Sequence, residues 1–228
     1  MFHLALVEAA LELVPPEILR HPSVRRNAKR RGKRAEETLL NRSLHHSAMD
    51  RIPDGHKRGR PDIVNLCLLE ALGSPLNRVG SLRVWIHTYG DQLIEVSPQA
   101  RLPRDCNRFN SLVEQLFAEG SVPPQGEKLM SMTEGSLTDL IGRIEPTKVV
   151  ALTSRGRESS LEEVCGELVG EERPLILVGA FPHGPFSEST LTQVTEAVSI
   201  NTEPLEAGVV TSRLIYEYEK SVERVKRE

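Results

Sequence analysis

The run Pro174-Leu175-Ile176-Leu177-Val178-Gly179-Ala180-Phe181-Pro182-His183-Gly184 decides the fold class. Its first half is apolar without a polar alternation, the pattern of a strand buried on both faces. The spacing predicts a strand over 174–181. Outward from it, a strand over 148–153 and a helix over 159–169 come before. A helix or turn near 188–196, a short strand over 197–200 and a last helix from about 207 to 226 come after. Strands alternating with helices imply an α/β fold, with a mostly parallel sheet covered by helices on both faces.

Further toward the amino terminus the pattern is less regular. Residues 2–10 read as a buried strand that Pro15-Pro16 interrupts. Residues 17–34 read as basic and irregular. Ala35 to Met49 reads as a helix, because Leu39, Leu40, Leu44 and Ala48 recur at helical spacing. Residues 50–60 are a loop, and Pro61-Asp62 starts a helix that stops near Gly73-Ser74-Pro75. Strands over 82–88 and 92–96 around Tyr89-Gly90-Asp91 form a hairpin. A helix over 108–119, a strand over 128–132 and a helix over 137–144 complete the chain. The expected organisation is one α/β domain over 1–228, with a basic appendage at 17–60 within it and a regular strand–helix region at 148–228.

The formal charge of −3 hides an asymmetry. Residues 20–60 hold thirteen Lys and Arg against four acids, a net +9, and the remainder carries −12. A block this basic gathers polyanions, because each neutralised phosphate releases condensed counterions. A solvated basic tail has the same composition. Cys67, Cys106 and Cys165 are scattered without metal or disulfide spacing, which points to a reducing cytoplasm. No export signal is read at the start, and no apolar run approaches the roughly 18 residues of a membrane span, so no membrane partner is expected.

Three segments carry site signals. Gly179 and Gly184 follow a buried strand, where open parallel sheets bind ligands and glycine admits close approach. The spacing is neither a dinucleotide fingerprint nor a P-loop. The second is Ser199-Ile200-Asn201-Thr202-Glu203-Pro204-Leu205-Glu206-Ala207-Gly208-Val209-Val210-Thr211, a loop opening into a helix whose first N–H groups are free to donate. Ordinary strand–loop junctions look the same in both cases. The third is Gly59-Arg60-Pro61-Asp62 with Arg101, Arg104 and Arg108, whose guanidinium forks suit phosphates. Arg104 and Arg108 share a helix face only if the helix starts before 108. Helix capping by Asp62 and surface solubility for the arginines are the plain alternatives. His45-His46 with His56 or Asp54 fits no zinc spacing, so no metal is expected.

An ordered set of short motifs adds to this. Arg60-Pro61-Asp62-Ile63, Ser74-Pro75-Leu76-Asn77, Leu93-Ile94-Glu95-Val96-Ser97-Pro98, Arg101-Leu102-Pro103-Arg104 with Arg108-Phe109, Val178-Gly179-Ala180 and Pro204-Leu205-Glu206-Ala207 occur in sequence. The chain resembles the SPOUT-class pseudouridine N1-methyltransferases of small-subunit ribosome biogenesis over roughly 2–10 and 36–220. The basic stretch 25–34 lies outside the resemblance. The resemblance implies a carboxy-terminal trefoil knot, a homodimer, and an rRNA hairpin containing pseudouridine as substrate, with ribosomal assembly proteins as further partners. It implies S-adenosylmethionine held by Thr153, by Leu177, Val178, Gly179 and Gly184, and by Ser199, Ile200, Leu205, Ala207, Gly208 and Thr211. It gives Arg60, Arg101, Arg104 and Arg108 to RNA, and Asp62 with Arg60 to catalysis.

An ordinary Asp, with a pKa of about 3.9, is a weak base toward an imide-like N–H. Either burial raises it, or Arg60 stabilises the developing anion while Asp62 orients the base. The alternative function is a ribosome assembly factor that binds rRNA without turnover. A DNA-binding regulator lacks a recognition helix.

Overall fold

The computed structural model describes residues 1–225. The chain order is β1 (Phe2–Ala9), α1 (Pro22–Arg31), α2 (Arg42–Met49), α3 (Pro61–Gly73), α4 (Pro75–Arg78), β2 (Leu82–Thr88), β3 (Gln92–Val96), α5 (Cys106–Glu119), β4 (Ser121–Val122) and β5 (Met130–Glu134). Then follow α6 (Leu137–Ile144), β6 (Lys148–Glu158), α7 (Leu161–Val169), β7 (Pro174–Gly179), α8 (Glu188–Leu191), β8 (Glu196–Ser199) and α9 (Ala207–Val225). The last helix was expected to reach about 226, a position outside the described residues.

All eight strands join one sheet in the order β4-β5-β3-β2-β1-β7-β6-β8. The pairs β1–β2, β1–β7, β6–β7 and β6–β8 are parallel, and the pairs made by β3 and β4 are antiparallel. The expected hairpin is present as β2 and β3, and it is built into the sheet because β2 also pairs with β1. Strand β1 is buried along its whole length, with His3 and Glu8 buried among its apolar residues. Leu4 and Leu6 face a core shared with α3, α5, α7 and α9, while Ala5 and Val7 face a second core closed by α6 and α8. Helices therefore cover both faces, as expected. No helix among the described residues is long and apolar enough to cross a membrane.

Segment 17–60 departs most from expectation. Residues 17–34 are not irregular: α1 occupies most of them. His21 caps its start with Pro22 in the first turn, and Gly32, left-handed at φ 63°, ends it. These are ordinary helix punctuation hidden by the charge. Residues 35–49 are not one helix. A 3₁₀ turn at Ala35–Glu37 gives way to an extended piece, in which Leu39 bridges to Leu13, before α2 starts after the Asn41 cap. Leu39 and Leu40 point into different cores and Leu44 is exposed, so their helical spacing was accidental.

Two interactions fasten this segment. The Glu114 carboxylate on α5, buried at 3% exposure, accepts from Arg31, from Lys33 at 2.7 Å and from the Leu39 N–H at 3.0 Å. Burial alone would raise Glu114, but these donors outweigh it and hold its carboxyl below the usual range. Inside the segment, fully buried His45 accepts the Asn41 N–H at Nδ1 (3.1 Å) and faces the Asn27 amide through Nε2 (3.1 Å). A second ring proton would point at the Asn41 donor.

Burial, with the charges of Arg31 and His21, lowers the His45 pKa to about 4. Burial, with the charges of the N-terminal amine, Arg83 and Arg173, lowers His3 to about 4 as well. Between pH 6.5 and 4 the unfolded chain takes up protons that these rings refuse, so stability falls on acidification and is flat above about pH 7. Urea unfolding is expected to give a free energy about 3 kcal/mol lower at pH 5 than at pH 7.5, with His45→Gln removing a large part of the difference. Equal values at both pH would remove the two histidines from the account.

Candidate functional site

Strands β6, β7 and β8 end at one edge of the sheet, and the loops beyond them enclose a cavity of about 370 Å³. Leu152, Val178, Phe186, Leu205 and Val210 supply apolar wall, and Thr153, Ser199 and Asn201 supply polar edge. The loop after β7 folds back over the strand end. A Cβ on Gly179 would lie 2.8 Å from the Phe181 ring, so glycine lets Phe181 and Phe186 meet edge to face there, with centroids 5.6 Å apart.

A tighter constraint lies under the other wall. Strand β6 pairs with β8 in two registers, Leu152 and Arg157 both matching Val198. Residues 153–156 between them leave the ladder, which puts Thr153, Ser154 and Arg155 on the cavity. At the crossing, a Cβ on Gly156 would lie 2.4 Å from the Val198 nitrogen and 2.5 Å from the Ala197 carbonyl carbon. Only a residue without a side chain fits between these backbones.

Of the residues expected to hold a cofactor, Thr153, Val178, Gly179, Gly184, Ser199, Ile200, Leu205 and Ala207 line this cavity. The structure places three elsewhere. Leu177 is fully buried in the core beneath α6, because it alternates with Val178 along β7. Gly208 allows α9 to cross α3, since a Cβ there would meet Leu66 at 2.5 Å. Thr211 is fully buried in the same crossing, beside the Cys67 thiol. Sequence reading did not single out Arg155, Phe181, Phe186, Asn201 or Glu203 as lining residues. Arg155 lies past residue 153, where the apolar signal of the strand stops, and nothing in the spacing of Asn201–Pro204 marks which of them faces the cavity.

Arg60 and Asp62 open helix α3, outside the lining of this cavity. The Arg60 N–H donates to Ala10 at 3.0 Å, which pins the start of α3 to the end of β1. Its guanidinium donates to the Asp62 carboxylate at 2.9 Å through Nε and 2.7 Å through Nη2. That hydrogen bond, then the charges of Asp62 and Glu206, raises the Arg60 pKa against the effect of burial. Glu206 lies between two lining residues, Leu205 and Ala207. The Asp62 side chain is 46% exposed.

The other arginines are not brought to the pair. Arg101 and Arg104 line a separate open groove with Leu69, Leu72 and Gly73, at the far end of α3. That is roughly 15 Å along the helix from Arg60 at 1.5 Å per residue. Helix α5 starts before 108, as sharing a face required, but its cap is Asp105, so Arg104 still precedes it. No carboxylate pairs with Arg101, Arg104 or Arg108 among the described residues.

Segment 17–60 braces the cavity from outside. The Lys57 ammonium lies 2.7 Å from the Glu8 carboxylate and 4.3 Å from the centre of the Phe181 ring. Glu8, left-handed at φ 50°, also accepts the Ser187 N–H at 2.7 Å. Burial raises Glu8, yet these hydrogen bonds outweigh it and hold the carboxyl below its usual range.

Residues 4–219 match the family model described as EMG1/NEP1 methyltransferase. The chain belongs to this family. The match runs through the basic stretch 25–34 as well. A relative from Thermococcus onnurineus, named ribosomal RNA small subunit methyltransferase Nep1, is 42% identical over 96% of this chain and 98% of its own. One of the same name from Pyrobaculum neutrophilum is 46% identical over 96% and 97%. The crystal structure of Archaeoglobus fulgidus Nep1 bound to S-adenosylhomocysteine superposes with a TM-score of 0.86, at 38% identity, covering 97% of this chain and 98% of that one.

The Gly156 crossing sets a test of how this family member forms its cavity. Gly156→Ala must displace backbone rather than a side-chain tip, and is expected to cost about 2–3 kcal/mol, in the range of overpacking. Thermal denaturation checks it against Gly142→Ala, whose added Cβ meets nothing within 4 Å inside helix α6, where alanine is favoured over glycine, so that variant is expected to melt at or above the wild type. Equal melting of the two variants would mean that the crossing is not tight.

Proposed function

We propose that the protein transfers a methyl group from S-adenosylmethionine to N1 of a pseudouridine in a hairpin of small-subunit rRNA, acting in ribosome biogenesis in the cytoplasm. The observation that carries the reading is the cavity formed by the loops after β6, β7 and β8, in a chain that superposes closely on a relative bound to S-adenosylhomocysteine. The cavity suits the nucleoside, with apolar wall for a purine and hydroxyl and amide groups at the rim. The trefoil knot belongs to the same reading, and the double register of β6 on β8 supports it.

Bound there, the cofactor supplies an electrophilic methyl group. The chain's own residues orient the acceptor. An imide presents N–H beside C=O, and Asp62 beside Arg60 presents the complementary acceptor and donor. Asp62 takes the hydrogen bond from N1–H, and Arg60 stabilises the charge that grows on the neighbouring carbonyl as that proton is lost. Since Asp62 is half exposed, orientation is its main role, with water as final proton acceptor. Single-turnover methylation tests this with two hairpins, one containing pseudouridine and one uridine. Asp62→Asn is expected to keep RNA affinity and lose methylation by about 10²-fold or more, as for removal of a positioned acid–base group. Arg104→Ala is expected to weaken RNA binding and lower its salt slope by about one. Methylation of the uridine hairpin overturns the substrate, and RNA binding by the wild type without turnover makes the protein an assembly factor.

The active unit is a homodimer. Of the apolar α9 residues that suggest it, Val209, Leu214, Ile215 and Tyr218, the last three are buried in the protomer's own core. Leu66, Val209 and Tyr216 instead remain exposed, at 44%, 41% and 62%, on the adjoining helices α3 and α9. A twofold contact on this face, with the two α3 helices antiparallel, would set each Arg101–Arg104 groove beside the partner's Arg60 end. Tyr216→Glu is expected to yield a monomer near 25 kDa by light scattering where the wild type gives twice that mass. A monomeric wild type at micromolar concentration overturns the dimer.

A further inference from the structure

Helix α1 is an unusual use of charge. It carries Arg25, Arg26, Lys29, Arg30 and Arg31 and no acid. Arg31 is spent on Glu114, and Arg30 donates to Asn27 at 3.2 Å. Arg25, Arg26, Lys29 and Arg30 are exposed, and none pairs with a carboxylate among the described residues. Arg25 with Lys29, and Arg26 with Arg30, are like charges one turn apart, each costing a few tenths of a kcal/mol. Arg25 and Arg26 also sit in the half of the helix where the dipole disfavours cations. Lys29 and Arg30 suit the dipole in the last turn and Arg30 holds Asn27, but Arg25 and Arg26 add repulsion with no partner in the fold.

The face is also rigid and well placed. Asn27 and Val24 are buried beneath it, and the Glu114 anchor fixes its end. That end touches α5 where Arg31 reaches Ser111 at 3.4 Å, one turn beyond Arg108. The ten residues of α1 then extend roughly 15 Å outward from this contact. A loose tail would pay to be ordered on binding, whereas this row of cations is ordered already.

We propose that the outer face of α1 binds the phosphate backbone of rRNA flanking the target hairpin, as a second RNA contact that supplies affinity rather than chemistry. It rests on the reading that rRNA is the substrate. The partner is fixed by charge complementarity: a polyanion of regular spacing releases counterions to a row of fixed cations.

The triple variant Arg25→Gln, Arg26→Gln, Lys29→Gln spares both anchors. Its RNA affinity is measured from low to moderate salt on two probes: the minimal pseudouridine hairpin, and that hairpin with its stem extended by about ten base pairs, one helical turn. The salt slope on the extended probe is expected to fall by about two to three, near 0.9 for each lost phosphate contact. Affinity for the minimal hairpin, and its methylation at saturating RNA, are expected to be unchanged. Wild-type affinity and slope on the extended probe overturn the proposal, as does equal loss on both probes, which would make α1 part of hairpin recognition. A wild type that binds neither probe overturns the rRNA reading and this proposal with it.

Discussion

Everything at the candidate site depends on one backbone-to-backbone contact, the crossing of β6 over β8 at Gly156. The ladder is satisfied on both sides of it, and four residues between the two registers have to leave the sheet. Those residues form one wall of the cavity. Closeness of this kind is possible only where no Cβ intervenes. The cavity is therefore a consequence of how the strands cross, and its shape is as rigid as the sheet. The loops after β7 and β8 complete it because all three strands run parallel and end at the same edge.

Ion pairs bind the basic segment to this frame, and their burial decides which of its cations remain available. Glu8, Glu12 and Glu114 hold Lys57, Arg58, Arg31 and Lys33. Removing one partner from such a pair leaves a desolvated charge, so these contacts are far more costly to break than exposed pairs. The Lys57 ammonium touches both Glu8 and the Phe181 ring, so the segment that presents cations also supports a cavity wall. Presentation of the remaining cations and support of the cavity wall are linked through the same few side chains.

In a single chain the arginines proposed to act on RNA stand apart. The Arg60–Asp62 pair stands at the start of α3 and the Arg101–Arg104 groove at its end, with exposed Leu66 on the helix between them. A rigid helix cannot bring its own ends together. The exposed apolar face shared with α9 gives the physical motive for a second copy, since burying Leu66, Val209 and Tyr216 removes apolar surface from water.

The sequence by itself determined the parts whose signal is local. Largely apolar runs marked β1 and β7 as buried strands, and regular alternation from 148 onward gave the parallel sheet with helices on both sides. Ordered motifs pointed to the family, and eight of the expected cofactor residues line one cavity. Local patterning failed where long-range partners override it. The charges of 17–34 masked α1, and Leu39 and Leu40 read as helix although they serve two separate cores. Only the tertiary structure decided that Leu177, Gly208 and Thr211 turn into packing, that Gly156 is the close approach, and which arginines are spent on buried carboxylates. The reason is physical: a residue's type fixes what it can bond or bury, but its partner is set by chain segments many residues away, and the spacing of a motif carries no record of them.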